Sequence, residues 1–206
     1  MSDEPLDHYF ATPHGEEHRR TIRITVRGRE VALQTANGVF SGSRLDPATA
    51  VLLKEVSPPG PQVRRVADVG CGYGPIALTL ALDCPWLTVD AVDTNERALA
   101  LTRDNAAALG VADRVRTFTP EGTDPTATYD EIWSNPPIRI GKEALHDLLT
   151  TWLARLAPDG RAVLVAGKNL GADSLQRWLG EQGWPTERLA SSKGFRVLES
   201  RRGKNH

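Results

Sequence analysis

The sequence predicts an α/β fold on a mainly parallel sheet, with an antiparallel hairpin ahead of it. Three observations carry this. From residue 64 onward, short β-branched runs alternate with longer helical patterns, the rhythm of strand–helix–strand crossovers with right-handed connections. Glycine- and proline-rich segments fall at strand ends, where open α/β sheets bind ligands. Before that region, "TIRITVRGREVALQTA" (21–36) alternates apolar and polar residues on either side of Arg27-Gly28, as a two-stranded hairpin does.

The elements follow in order. Residues 1–18 lack periodicity and read as a mobile arm. Their acidic start has neither the basic region nor the apolar core of a signal peptide. After the hairpin, "NGVFSGSRLD" is a loop. "DPATAVLLKEV" opens a helix, with Asp46 as N-cap and Pro47 in the first turn. "SPPGPQ" (57–62) reads as a linker, dividing residues 1–56 from residues 57–206. "RRVADVG" is then a strand, "GPIALTLALDC" a helix, "LTVDAVD" a strand and "ERALALTRDNAAALG" a helix closed by Gly110. "DRVRTFTP" and "YDEIWS" are two more strands. "KEALHDLLTTWLARLAPDG" is a helix ending in a Pro-Asp-Gly turn. "RAVLVAG" is a strand and "ADSLQRWLGEQG" a helix. "TERLAS" and "FRVLESR" close the chain as an antiparallel pair around the Ser191–Gly194 turn.

With 206 residues, 40% hydrophobic and 25% charged, the chain fits one domain, or one domain with an appendage. No apolar run approaches the ~20 residues of a membrane span. Cys71 and Cys84 give neither a disulfide framework nor metal spacing, and the five histidines show no ligand spacing. A cytoplasmic protein with reduced thiols and no metal is expected. A net charge of −1 excludes a global basic signal for nucleic acid. Basic residues cluster at Arg19, Arg20, Arg23, Arg27 and Arg29, and at Arg188, Lys193, Arg196, Arg201, Arg202 and Lys204. Such clusters are solvated faces unless they flank a site for a polyanion.

Three motifs sit at strand ends. The first is "DVGCGYG" (68–74), between a strand and a helix. Gly70 and Gly72 permit a tight turn and a close ligand approach, and the helix start offers N–H groups to acidic oxygens. A plain strand–helix turn explains the same glycines. Pro75 stands where a dinucleotide fingerprint requires glycine or alanine, which disfavours a nicotinamide dehydrogenase. The second is Asp93, placed after the next strand like the acid that accepts both hydroxyls of a ribose. Alone it reads equally as a helix cap. Asp90 lies inside the strand pattern and is disfavoured. The third is Asn135-Pro136-Pro137. Two prolines fix two φ angles, remove two donors and hold the preceding residue extended, so a neutral amide is kept on a stiff turn.

Together these motifs resemble the class I S-adenosylmethionine-dependent N-methyltransferases that carry an Asn/Asp-Pro-Pro-aromatic motif. "HYF" near the start, "NGVFSGSRLDPATAVLL", "SNPPIRIGKE" and "KGFRVLES" extend the resemblance, over roughly residues 8–200, to a narrower family. That family methylates guanine N2 in 16S small-subunit ribosomal RNA, and this chain looks like its short single-domain form. The resemblance implies a Rossmann-like class I methyltransferase fold: a mainly parallel seven-stranded sheet with helices on both faces, plus the N-terminal hairpin. It implies S-adenosylmethionine as cofactor and ribosomal RNA or the small ribosomal subunit as partner. Asp68, Gly70, Cys71, Gly72, Tyr73, Gly74, Asp93 and Asn135 would surround the cofactor. Cys71 and Tyr73 would line its methionine end, Asp68 would support the loop, and Glu121 or Gly122 would meet the adenine. Asn135, Pro136 and Pro137 would be catalytic. Phe40, Ile138, Arg139, Lys142 and Lys168 would face the substrate, and residues 1–56 would cover the substrate side.

The chemistry suits a stiff amide. The lone pair of guanine's exocyclic amine is delocalised into the ring, so the amine is a poor nucleophile. Asn135 Oδ1 can accept one N–H and the carbonyl of Ser134 or Pro136 the other, aiming the lone pair at a sulfonium methyl. Attack on a sulfonium needs no strong base. Ile138 stands where the related motif has an aromatic residue, which leaves the stacking partner open, with Phe40 and Trp133 as candidates. Trp133 reads as core more readily than as platform. Arg139, Lys142 and Lys168 would hold phosphates, or else form a solvated rim. A glutamine side-chain amide and adenine N6 are alternative acceptors. A non-catalytic S-adenosylmethionine- or RNA-binding module is disfavoured by intact Gly70, Gly72, Asp93 and Asn135.

Overall fold

The computed structural model describes residues 16–203. The "HYF" motif, most of the expected arm and Lys204 lie outside the described residues. Strands β1 (Arg19–Val26) and β2 (Arg29–Ala36) form the hairpin, paired from Arg19↔Ala36 to Val26↔Arg29. Arg27 and Gly28 turn at positive φ, 51° and 78°, the mirror-image turn that matches strand twist. Residues 16–18 are not a free arm. Asn37 Oδ1 accepts from the His18 N–H, and Asn37 Nδ2 donates to the Glu16 carbonyl. Helix α1 (Pro47–Glu55) starts at Asp46, whose Oδ1 accepts from the N–H groups of Ala48 and Thr49 at 2.9 and 3.0 Å.

Then follow β3 (Arg65–Val69), α2 (Pro75–Asp83), β4 (Thr88–Val92), α3 (Glu96–Ala108), β5 (Val115–Phe118), β6 (Tyr129–Ser134), α4 (Lys142–Leu153), β7 (Leu156–Gly167), α5 (Ala172–Glu181), β8 (Thr186–Ser192) and β9 (Phe195–Arg201). Seven strands form one sheet in the order β5-β4-β3-β6-β7-β9-β8. The first five run parallel, and β9 and β8 are antiparallel. The chain winds outward from β3 to β5, then returns to place β6 beside β3. That reversal is the topological switch point, where a ligand crevice opens beyond the strand ends. It brings the glycine loop after β3 next to Asn-Pro-Pro after β6. Ser134 Oγ fastens the two ends by donating to the Val69 carbonyl at 2.6 Å.

The sequence reading carries the fourth predicted helix to a turn at Gly160, but α4 ends at Leu153. Leu156 is fully buried and already pairs with Tyr129. Ala157, Pro158, Asp159 and Gly160 bulge opposite Asp130, and regular pairing resumes at Glu131↔Arg161. Burial of Leu156 draws the chain into the sheet before the turn residues arrive.

Alternating side chains feed two cores. Val66, Trp133, Val163, Val165 and Val197 face the hairpin, α1, α2 and α3, while Ala67, Ile132, Leu164 and Leu198 face α4 and α5. Helix α2 is buried from Pro75 to Ala81. Such a helix must be covered on its outer side too, and the hairpin's Ile22, Ile24, Val31 and Leu33 join the same core as α1 and α2. Asp90 is buried in β4 and held by Arg65, Arg116 and the Tyr129 hydroxyl, a structural role. Among the described residues no helix is long and apolar enough to cross a membrane.

Candidate active site

The glycine loop is pinned to the end of β4. The N–H groups of Gly70 and Cys71 both donate to the Val92 carbonyl, at 2.8 and 3.0 Å, and that of Gly72 donates to Asp93 Oδ2 at 2.8 Å. At the helix start, the Ala77 N–H is taken by Asp68 Oδ2 at 2.9 Å. The three loop donors and the Ala77 N–H at the helix start are therefore spent within the protein. What the loop offers is shape. Gly70 and Gly72 hold φ of 77° and 57°, and a Cβ on either would meet nothing within 4 Å. Both present bare backbone to open space, in a conformation that side chains resist.

Asp93 keeps binding capacity. Its Oδ1 accepts from the Asn95 N–H at 2.9 Å and the carboxylate also holds the Thr94 N–H, so three backbone donors occupy a group that has about four acceptor positions when ionised. Burial pushes its carboxyl above the ordinary range, against the pull of those donors. Asp68 is fully buried beneath the loop. Its Oδ1 has no partner among the described residues, and burial, with a smaller push from Asp93, raises the carboxyl to about 7. The Cys71 thiol lies 4.0 Å from Thr102 Oγ1, against α3, and burial raises its pKa well above the usual thiol value. Tyr73 is buried, and its hydroxyl donates to the Arg44 carbonyl at 3.4 Å, reaching the loop between β2 and α1.

Asn135 follows β6. Its Nδ2 donates to Asp46 Oδ1 at 2.8 Å and to Thr49 Oγ1 at 3.0 Å. An ionised carboxylate only accepts, so the amide nitrogen must face Asp46 and Oδ1 must face the other way. The Pro136 carbonyl already accepts from the Ile138 N–H at 2.8 Å. Of the two carbonyls considered from sequence as a second acceptor, that of Ser134 is the one without this local bond.

A small cleft joins these parts. Of the residues singled out from sequence, it brings together Phe40, Gly70, Cys71, Gly72, Tyr73 and Asn135. Asp93 sits behind Gly72, Asp68 lies under the loop, and Gly74 abuts Leu78 and Thr102. Glu121 is in an exposed turn after β5 and does not line the cleft. Pro136 and Pro137 continue the chain beyond Asn135, and Ile138 packs toward the core under α4. Arg139, Lys142 and Lys168 are exposed. Trp133 is fully buried, with its indole N–H donating to Glu131 at 2.7 Å, so it is no stacking platform. Phe40 is 54% exposed at the cleft.

Sequence reasoning missed Asp46 and Thr49 as site residues. Asp46 was legible only as a helix cap, and nothing in the pattern links it to an amide 89 residues later. The basic clusters are largely ion-paired: Arg19 with Asp104, Arg23 with Glu30, Arg27 and Arg29 with Asp83, Arg188 and Arg196 with Asp173, and Arg201 with Glu199.

A sequence model of the family described as "Methyltransferase small domain" matches residues 30–199. YbxB of Bacillus subtilis (strain 168) is 29% identical over 95% of this chain and 98% of its own length. Ribosomal RNA small subunit methyltransferase C of Chromohalobacter salexigens is 36% identical over 82% of this chain, and that of Shewanella amazonensis 30% over 82%. The chain spans about half the length of those two proteins, 51% and 50%. Among solved structures, the T. thermophilus 16S rRNA N2 G1207 methyltransferase, in complex with AdoMet and guanosine, superposes with a TM-score of 0.78. It is 24% identical, over 92% of this chain and 52% of that one. A ribosomal protein L11 methylase from Lactobacillus delbrueckii shares the fold at a TM-score of 0.60 and 22% identity, over 78% of this chain and 84% of that one. The match over most of its length and the strand order of its sheet agree: the chain belongs to the methyltransferase small domain family, on the class I S-adenosylmethionine-dependent methyltransferase fold.

Proposed function

We propose that the chain transfers a methyl group from S-adenosylmethionine to an exocyclic amine of RNA, guanine N2 of small-subunit ribosomal RNA being the best-fitting acceptor. The observation that carries this is the orientation of Asn135. Its two amide N–H groups are spent on Asp46 and Thr49, so the side chain presents an oxygen, which suits an acceptor that brings N–H.

The residues present fit the cofactor. Gly70 and Gly72 leave bare backbone toward open space, and Asp93, with three backbone donors on it, retains an acceptor position for a ribose hydroxyl. S-adenosylmethionine, when bound, supplies a methyl group made electrophilic by a sulfonium. Asn135 Oδ1 accepts one hydrogen of the acceptor amine, and the Ser134 carbonyl accepts the other. Two fixed acceptors orient the nitrogen lone pair and stabilise the positive charge that grows on nitrogen. The proton then leaves to water. Phe40, exposed at the cleft, offers a ring to stack on the base, the part an aromatic after the second proline would otherwise play. Arg139, Lys142 and Lys168 supply positive charge for RNA phosphates.

The relatives named ribosomal RNA small subunit methyltransferase C support the RNA reading, as does the guanosine bound in the T. thermophilus complex. The fold does not set the acceptor, since an L11 methylase shares it. The test is incubation with tritiated S-adenosylmethionine and, separately, 16S ribosomal RNA, small ribosomal subunits and release factors, followed by mapping of the label. Label in N2-methylguanosine is expected. Label confined to a protein glutamine, or to adenine N6, would replace this acceptor.

A further inference from the structure

An asparagine side chain is almost the same shape when turned over, so packing alone cannot choose which end meets a substrate. For Asn135 the choice is made from behind. Resting on the reading above, we infer that Asp46 and Thr49 are positioning residues for methyl transfer: they lock the Asn135 amide with Oδ1 toward the acceptor amine, and the charge of Asp46 polarises it.

The two contacts have different jobs. The Thr49 hydroxyl can donate or accept, so it alone would tolerate either orientation. The Asp46 carboxylate can only accept, so it alone fixes the sense. An amide turned over would point NH₂ at the incoming amine, donor against donor, with nothing to draw charge onto the reacting nitrogen.

Asp46 is itself held rigidly. Its Oδ1 receives the Ala48 and Thr49 N–H groups as well as Asn135 Nδ2, and Pro47 stiffens the helix start. A bond from an amide N–H to a carboxylate is charge-assisted and shifts electron density within the amide toward Oδ1. That makes Oδ1 a stronger acceptor as the acceptor nitrogen turns positive. The cap of α1 thus serves two ends: it starts the helix and loads the amide. It also ties the Phe40 loop, which runs directly into Asp46, to the reacting centre. An acceptor group with no N–H to give would meet an oxygen and be refused.

Thr49→Val is nearly isosteric and leaves the helix cap intact. It should lower kcat about tenfold with KM for 16S RNA, S-adenosylmethionine affinity and melting temperature close to wild type. Thr49→Ser should recover most of the loss. Asp46→Asn keeps an oxygen for the cap and removes the charge; kcat should again fall more than KM rises. Asn135→Asp sets two carboxylates against each other and should be inactive. The double variant Asn135→Asp with Asp46→Asn restores a donor between them and should recover at least about tenfold over Asn135→Asp. A readout free of substrate is the Asn135 side-chain amide pair in a ¹⁵N-labelled sample, assigned by its loss in Asn135→Ala. It should shift in Thr49→Val and Asp46→Asn. If Asn135→Ala is inactive while Thr49→Val and Asp46→Asn turn over like wild type with unmoved amide resonances, the positioning role is wrong. If Asn135→Ala itself turns over normally, the catalytic reading of the site fails instead, whatever the amide resonances do.

Discussion

Asp93 Oδ2 accepts the Gly72 N–H at 2.8 Å, so the carboxylate at the end of β4 is built into the glycine loop after β3. One side chain therefore shapes the cradle from the carboxyl end of β4. Its other oxygen takes the Asn95 N–H, and Asn95 caps α3 and donates to the Gly38 carbonyl at 2.8 Å. The loop, α3 and the chain leaving the hairpin meet at this point.

Asp93→Ala should accordingly cost more than a ribose contact. It removes a charged acceptor and frees Gly72, each about 1.5–3 kcal/mol in such settings. S-adenosylmethionine affinity should fall at least about 30-fold, roughly 2 kcal/mol, with Asp93→Asn intermediate. Isothermal titration calorimetry measures it. Unchanged affinity in Asp93→Ala would remove this carboxylate from the site.

Much of this was legible in the chain itself. The Arg27-Gly28 turn, the Asp46 cap and the strand–helix rhythm each rest on local chemistry, and the elements stand where that chemistry puts them. The end of α4 was not legible. Local turn residues pointed to Gly160, whereas Leu156 is drawn into the sheet by burial against partners distant in sequence. The glycines, Asp93 and Asn135 could be picked out because each sits at a strand end. The Asn135–Asp46 bond could not, because it depends on the return of the chain from β5 to β6 and on where α1 packs. The fate of the loop's N–H groups was hidden for the same reason: β4 takes them.

Asn105 makes a second prediction. This buried side chain on α3 copies a strand edge: Oδ1 accepts the Gln34 N–H at 2.7 Å, and Nδ2 donates to the carbonyls of Gln34 and Tyr73 at 2.9 and 3.0 Å. It joins β2 to the glycine loop. Asn105→Leu keeps the branched outline, though with bulkier methyl groups, and strands three backbone groups, for a loss of at least about 2–4 kcal/mol. Urea unfolding reads the total. Hydrogen exchange should show β2 losing protection first, and a uniform loss across the sheet would contradict the local role.

Asp68 predicts a pH dependence. The carboxyl sits at about 7 in the fold, against about 4 in an unfolded chain, because burial penalises its charge. A raised acid favours folding when protonated. Its contribution is complete below about pH 4 and is lost as pH rises through 7, by up to about 1.4 kcal/mol per unit. Wild type should therefore gain stability relative to Asp68→Asn as pH falls from 8 to 5. Parallel melting curves for the two proteins across that range would show that Asp68 is ionised throughout and that its unpartnered oxygen is satisfied some other way.

The rim of the cleft separates stacking from charge. Phe40 is more than half exposed, so Phe40→Ala should leave the melting temperature within about 2 °C of wild type, as surface changes usually do. If its ring stacks on the target base, RNA affinity should drop by about 1–3 kcal/mol, nearly independent of salt. Lys142 and Lys168 should act in the opposite manner. Each phosphate they neutralise contributes about 0.7 to the slope of log affinity against log salt on single-stranded RNA. Lys142→Ala with Lys168→Ala should therefore flatten that slope by about 1.4, while Phe40→Ala lowers the line without tilting it. Fluorescence anisotropy with a 16S RNA fragment from 50 to 300 mM salt distinguishes the two. A tilted line for Phe40→Ala would mean that the loop between β2 and α1 contributes by placing charge, and the stacking role would pass from this ring to another part of the cleft.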